Sequence, residues 1–534
     1  MNLLALPYPS QRMPAVARGG MVATTQPLAV RAGLAMLEAG GNAVDAAIAA
    51  AVTLTVVEPT SNGIGGDAFA LVWDGERLHG LNGSGRSPAA LTLDLVRSRG
   101  HEATPARGWL SVTVPGQPRA WHDLHARFGR LCFEQLFEPA IQAADEGYAL
   151  TPIVAYNWAR AARAYAEFEG AEFAQWSETF TIGGRAPEPG QVWRSPEIVQ
   201  TLRRIAESGS DDFYSGQLAE RIARFAARTE GILTASDLAA HQSEWVEPIF
   251  ARYRGYEVWE LPPNGQGLAA LLALNLLEGF DLAALPRESV EAYHLQIEAM
   301  KVAFADAHQY ICDPAHAHVP TEGLLSKAYA ASRRALIGER ARIHPSGEPE
   351  RGGTVYLCTA DQDGMMVSYI QSNYMGFGSG IVVPGTGIAL QNRGAGFRLD
   401  LDHPNALAPG KRPFHTIIPA FLTRGGEPVG PFGVMGAHMQ PQGHVQMVLN
   451  TVDWRLNPQA SLDAPRWRYT EGRGVLLEHG TPRHVVQGLH DRGHDITLAP
   501  TAAPFGRGQI IWRTQHGTYV AGSEPRADGL AMGI

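Results

Sequence analysis

Helical patterns near the start and through the middle of the chain, followed by a strand–turn–strand pattern after residue 353, predict an α+β fold. With 534 residues, 45% of them apolar, the chain can fill one large core or two joined ones. Charged residues make up 18% and the formal net charge is -9, so the basic excess that binds phosphate backbones is missing and nucleic acid is not expected as a partner.

Taken in order, Gln26 to Val57 reads as two alanine-rich helices. The first ends at Gly40-Gly41 and the second opens on Asn42, with Asp45 three positions on to complete a capping pattern. The run Thr60-Ser61-Asn62-Gly63-Ile64-Gly65-Gly66-Asp67 is a glycine-rich loop leading into an apolar strand, Ala68 to Trp73. The glycine motifs that hold phosphates lead into a helix instead, so this loop is expected to serve tight backbone packing. Residues 118 to 340 alternate helical patterns with loops, among them a helix over Val290 to Tyr310. Glu339 to Gly353 is a run of charges, prolines and glycines without periodicity and reads as an exposed segment with little structure. Val355 to Ala360 and Met365 to Ile370, joined by Asp361-Gln362-Asp363-Gly364, then read as a hairpin.

Cys132, Cys312 and Cys358 are few and far apart, which argues against a disulfide framework and fits a reducing compartment. The opening MNLLALPYPSQRMP carries only a four-residue apolar run, too short for a secretory signal, and the apolar stretch Ala43 to Val57 is too short to cross a bilayer. A soluble cytoplasmic protein is the expectation, with neither membrane nor nucleic acid as partner.

Thr354 stands where the structureless run meets the hairpin. A threonine hydroxyl is a weak nucleophile unless a base lies within hydrogen-bond reach, and a free α-amino group, with an unperturbed pKa of about 7.7–8.0, is such a base. Cleavage between Gly353 and Thr354 would place nucleophile and base on one residue. By itself a Gly-Thr at the head of a strand reads as an ordinary β-branched strand position.

The surrounding motifs resemble those of the γ-glutamyltransferase family. They comprise Arg351-Gly352-Gly353-Thr354, Gly376-Phe377-Gly378-Ser379-Gly380, Val383-Pro384-Gly385-Thr386-Gly387, Gly40-Gly41-Asn42-Ala43-Val44-Asp45-Ala46-Ala47, the loop Glu58 to Asp67, Val114-Pro115-Gly116 and Glu298-Ala299-Met300-Lys301. The resemblance spans nearly the whole chain. It implies a four-layer αββα sandwich of the N-terminal-nucleophile hydrolase type, no cofactor, and a precursor cut into a large subunit, 1–353, and a small one, 354–534. These would form one catalytic heterodimer, and the composition is compatible with a dimer of heterodimers. It further implies Thr354 as nucleophile and α-amino base, Ser372 as a hydroxyl bonded to it, and Gly436 with the Ala437 amide as the oxyanion hole, although Gly436 alone would pass for a turn glycine.

Other positions depart from the family pattern. Ser84 stands where an arginine holds the substrate α-carboxylate, with Arg86 two residues on; Tyr374 replaces an asparagine, His415-Thr416 a serine pair, Arg393 a glutamine, and Gly396 the aspartate that receives the substrate ammonium. Losing an acid and gaining a forked cation favours a substrate with a carboxylate and no amino group. Arg86, Tyr374, Arg393, His415 and Thr416 are therefore candidate substrate-binding residues, and a small acid amide such as oxamate is the first candidate substrate. Arg393 pointing to solvent or pairing with Asp400 or Asp402 is an equal reading. Only residues 398–412 stand in place of a longer lid, which favours hydrolysis over transfer to an amine. A γ-glutamyl hydrolase or transferase, a glutaryl-cephalosporin acylase and a non-catalytic relative are the alternatives. His308, Cys312, His316 and His318 do not repeat a zinc spacing, and Pro314 interrupts them, so no metal is expected.

Overall fold

The computed structural model describes residues 12–344 and 353–534. Most of the opening MNLLALPYPSQRMP and the 345–352 part of the charged run, with Arg351 and Gly352, lie outside the described residues.

The predicted hairpin is the centre of the molecule. Its strands, Gly353–Asp361 and Met366–Tyr374, run antiparallel with Val355 opposite Gln371 and Ala360 opposite Met366. The turn closes because Asp361 Oδ1 accepts the amides of Asp363 and Met365 at 2.9 and 3.1 Å, while Gly364 takes a φ of +94° that other residues resist. The hairpin is flanked by the strands Gly20–Thr24 and Asp67–Trp73 in a seven-stranded antiparallel sheet. A second seven-stranded antiparallel sheet includes Ala420–Arg424, Glu427–Met435 and Arg507–Arg513.

Strand alternation divides the apolar side chains between separate cores. Val355, Leu357, Val367 and Tyr369 join the core that includes the helix Ala43–Val57, whereas Tyr356, Cys358, Ala360 and Ile370 share another with Phe421, Met435 and Ile511 of the second sheet. Leu422, Phe432, Val434 and Ile510 of that second sheet project into a third core with the helices Gly267–Leu277, Val290–Tyr310 and Met439–Val452. Each fully buried aliphatic or aromatic side chain contributes about 1.5–3 kcal/mol, so burial on both faces anchors the central hairpin.

The helices Pro27–Glu38 and Ala43–Val57 form where their signals predicted. Asn42 accepts from the amides of Val44 and Asp45 while Asp45 accepts from the Asn42 amide, a complete capping box. The helices meet at Gly33, where a Cβ would lie 3.0 Å from the Ala46 carbonyl oxygen. The glycine-rich loop does serve close packing: a Cβ at Gly65 would lie 2.4 Å from Ala389 O, and one at Gly66 2.6 Å from Ser372 O. The Val290–Tyr310 helix has the predicted bounds.

One expectation fails in part. The segment after Glu339 is not free of structure throughout, since His344 is buried and the Ala341 and Arg342 amides donate to Arg492 O and Glu298 Oε2. Those partners lie far away in sequence, so local periodicity could not reveal them. Among the described residues, no helix is long and apolar enough to cross a membrane. Cys132, Cys312 and Cys358 are free thiols.

Candidate active site

Thr354 is buried at the head of the hairpin, where the ladder register shifts between Gly353 and Val355. Such a bulge re-aims a side chain out of the regular pleat. Its Oγ1 donates to Ser372 Oγ at 3.1 Å, from the neighbouring strand. Ser372 Oγ also accepts the Tyr374 amide at 2.8 Å and Arg393 Nη2 at 3.2 Å. A guanidinium one hydroxyl away favours negative charge developing on the Thr354 oxygen. Tyr374 adopts a φ of +75°, strained for a residue with a side chain, and that conformation turns its amide back onto Ser372.

Arg393 lies in a short 3-10 turn, Arg393–Gly396, with its side chain completely buried. Nη1 donates to Thr416 Oγ1 at 2.7 Å, and the guanidinium carbon stands 4.2 Å from the centre of the Tyr374 ring. Neither Asp400 nor Asp402 pairs with it; both are exposed, and Asp400 instead caps the Asp402 amide. Among the described residues Nε has no hydrogen-bond partner and no carboxylate reaches the guanidinium. Burial lowers its pKa to about 10, which leaves it charged at neutral pH.

His415 is also fully buried, with Nε2 donating to Asp67 Oδ2 at 3.0 Å and Nδ1 facing the Ile417 amide at 3.4 Å. Burial, reinforced by Arg393, pushes its pKa down to about 4, so it is a neutral ring whose two nitrogens serve the protein. The carboxylate of Asp67 binds the amides of Gly85 and Gly116 and the Gln391 side chain as well. Asp67 organises the floor of the site. Its signal was present in the sequence, a lone acid closing a glycine run ahead of an apolar strand, but its partners lie up to 348 positions away.

Gly436 and Ala437 connect the strand Glu427–Met435 to the helix Met439–Val452, with φ values of +129° and +52°. A left-handed alanine is strained, and such strain persists where the surroundings enforce it. Here Gln266 Nε2 ties the Ala437 carbonyl at 2.9 Å to the Thr416 carbonyl at 2.6 Å, fixing this turn to the segment that holds Arg393. The turn also precedes the positive end of a fourteen-residue helix, a setting that favours anions.

The structure therefore brings Thr354, Ser372, Tyr374, Arg393 and Thr416 into one connected network, while His415, next to Thr416 in the chain, bonds to Asp67 instead. Arg86 does not join it. Its side chain binds Asp313, Glu244 and the Gly410 carbonyl, and Ser84 bonds to Asn82 and Asn264. Gly396 receives the Asn405 side chain on its carbonyl. Segment 398–412 is tied to its own neighbourhood, with Lys411 Nζ donating to Pro404 O and Ala406 O and Asn405 Oδ1 accepting the Phe414 amide.

His308, Cys312, His316 and His318 do not converge: His308 stacks on Phe304 and Phe414, Cys312 Sγ faces Ala317 O, and His316 pairs with Asp313. Among the described residues, His294, Glu298 and His494 do lie close enough to share an ion. The two rings are hydrogen-bonded at 2.8 Å, and the Lys301 ammonium at 2.7 Å already neutralises Glu298. A dication there would add uncompensated buried charge.

Residues 29–534 match the family model described as gamma-glutamyltranspeptidase. The chain is 37% identical to a glutathione hydrolase-like YwrD proenzyme of Bacillus subtilis, over 96% of this chain and 98% of that one. It is 33% identical to an oxamate amidohydrolase proenzyme of Klebsiella pneumoniae, over 97% and 99%. The crystal structure of a cephalosporin acylase from Bacillus halodurans superposes with a TM-score of 0.95 at 54% identity, covering 99% of this chain and 98% of that chain. The chain thus belongs to the gamma-glutamyltranspeptidase family and is a hydrolase of amide C–N bonds.

Proposed function

We propose that this chain matures by cleavage between Gly353 and Thr354 and then hydrolyses amides whose acyl group carries a carboxylate and no ammonium, with oxamate as first candidate. The observation that carries the substrate class is Arg393, a buried guanidinium without a carboxylate partner among the described residues. A buried charge left unpaired costs several kcal/mol, and an incoming carboxylate removes that cost. In this reading Thr354 Oγ attacks the amide carbonyl, the Thr354 α-amine takes the hydroxyl proton, and Ser372 holds the oxygen in line. The Gly436-Ala437 turn faces the developing oxyanion through backbone N–H, as the strained turn at a helix N-terminus supports. Tyr374 and Thr416 orient Arg393, while His415 acts by holding Asp67. Arg86 is left outside the acyl site.

The separation of apolar cores supports the expected four-layer order, helices on either side of two facing sheets. The relatives named as proenzymes support division into subunits 1–353 and 354–534 that stay together as a heterodimer. A second reading, an acylase releasing a larger carboxylate-bearing side chain, is favoured by the likeness to the cephalosporin acylase. Gly396, in place of an acid, speaks against γ-glutamyl compounds.

The test has two parts. Purified protein should run as two bands whose smaller member begins at Thr354, and Thr354→Ala should stay whole; any other N-terminus refutes the nucleophile. On the matured protein, kcat/KM is compared for oxamate, a glutaryl amide and γ-glutamyl-p-nitroanilide. A preference for the γ-glutamyl compound would overturn the substrate class, and a preference for the glutaryl amide would select the acylase reading.

A further inference from the structure

Glu298 and Lys301, from the Glu298-Ala299-Met300-Lys301 motif, take no part in the network around Thr354. Both side chains are fully buried on the Val290–Tyr310 helix, and Lys301 Nζ donates to Glu298 Oε1 at 2.7 Å. Desolvation offsets most of the attraction in such a pair, so the pair alone explains little. Its remaining bonds are informative, because two go to the backbone of a single residue. Glu298 Oε2 accepts the Arg342 amide at 3.2 Å, and Lys301 Nζ donates to the Arg342 carbonyl at 3.3 Å.

Neighbouring bonds hold the same stretch. His294 Nε2 donates to Gly338 O at 2.7 Å, His294 Nδ1 bonds to His494 Nε2 at 2.8 Å, and the Ala341 amide donates to Arg492 O at 2.8 Å. His344 Nε2 stands 3.8 Å from Glu298 Oε2. Burial alone would raise the Glu298 pKa, but the His344 contact and the Lys301 charge hold it at about 2, so its acceptor oxygens are ionised. The Arg342 side chain is exposed, so it is the backbone of this arm that is gripped.

The arm, 338–344, ends nine positions before Gly353. We propose that Glu298 and Lys301 are positioning residues for self-cleavage, a clasp that fixes the point from which the chain reaches the Gly353–Thr354 bond. The inference rests on the cleavage proposed above. In that step Thr354 Oγ attacks the Gly353 carbonyl carbon, the C–O bond forms as C–N breaks, and the hydroxyl proton ends on the departing nitrogen. Water then hydrolyses the ester, leaving a Gly353 carboxylate and a free Thr354 hydroxyl. The attack needs the peptide in a near-attack conformer, and anchoring one end of a short leader restricts the alternatives. At ~3.3–3.6 Å per residue the nine links from His344 to Gly353 span at most about 32 Å.

The experiment follows freshly made full-length chain on a denaturing gel and then assays what has matured. Lys301→Met and Glu298→Gln should slow conversion more than tenfold, while matured material keeps kcat/KM within twofold of the parent and Lys301→Arg restores most of the rate. Arg342→Ala should convert at the parental rate and Arg342→Pro, which removes the gripped amide, should be slow. Because that pair changes only an exposed position on the arm, it decides the matter even if the buried variants misfold. Equal rates for Arg342→Pro and Arg342→Ala would overturn the clasp, and so would a parallel fall of cleavage rate and kcat/KM in Lys301→Met. A parent chain that never cuts removes the nucleophile assignment and the clasp together; a parent that cuts beside unaffected variants removes the clasp alone.

Discussion

Arg466 is buried as deeply as Arg393, yet the two guanidinium groups live in opposite surroundings. Arg466 Nη2 meets Glu524 Oε2 at 2.7 Å, and Arg526 completes the group by binding both Glu524 and Glu478. Burial raises the Glu524 pKa, but Arg466 and Arg526 outweigh it and hold the carboxylate below its ordinary range. Arg393 has two hydroxyls and a tyrosine face in place of carboxylates, and Asp67, whose charge helps sustain it, has its oxygens committed to His415, Gly85, Gly116 and Gln391. One group is closed and holds the fold together. The other has no carboxylate of its own within hydrogen-bond reach among the described residues.

The strongest way to break this contrast is Arg393→Met. It should lower kcat/KM for oxamate by on the order of a hundredfold, about 3 kcal/mol of transition-state stabilisation. Self-cleavage should slow by much less, and thermal stability should hold or rise because an unpaired buried charge is gone. A marked drop in Tm with activity retained would make Arg393 a structural residue like Arg466.

Glu524→Gln is the complementary change. It strands the buried Arg466 guanidinium while Arg526 keeps Glu478, and should cost about 3–5 kcal/mol of stability, read as a fall in Tm or denaturant midpoint, while kcat/KM of the folded fraction is unchanged. An equal loss of kcat/KM would show that the two arginine groups are coupled.

A pH series separates their contributions further. Burial lowers the pKa values of His241, His308 and His415 to about 4 and that of His494 to about 3. The unfolded chain takes up protons at these residues below its ordinary histidine value near 6.5 while the folded chain does not, so stability should fall as pH drops from 6.5 through 4. Glu524, with a depressed pKa, contributes stability above its ordinary value of 4.5 that is lost at lower pH. Glu524→Gln should therefore remove part of the lower window and leave the histidine window intact, measured by Tm across buffers.

The smallest effect expected is that of an amine acceptor. Segment 398–412 is bound to its own surroundings by Lys411 and Asn405, and glycylglycine should raise product formation by less than twofold. Strong acceptor dependence would mean that another element closes over Arg393.

How much could be read beforehand depended on how far apart the partners lie. The capping box at Asn42 and Asp45, the Asp361 turn and the bounds of the Val290–Tyr310 helix were legible because they arise within a few residues. The Thr354–Ser372 contact follows from the family resemblance, not from local pattern, and joins facing strands of one hairpin eighteen positions apart. In the charged run before Thr354, the burial of His344 and the amide bonds of Ala341 and Arg342 are not legible locally, because the partners of those amides are Arg492 and Glu298. Arg393 could equally have faced Asp400 or Asp402 until the fold placed it on Ser372 and Thr416.

The sequence by itself determined that a strand hairpin follows Thr354 after a run of weak local preference, because periodicity, turn chemistry and caps are properties of neighbouring residues. Only the tertiary structure decided which charges are answered. That outcome depends on which side chains are buried together and stripped of water, and Asp67 meets His415 across 348 positions of chain while Arg393 has no carboxylate within hydrogen-bond reach among the described residues.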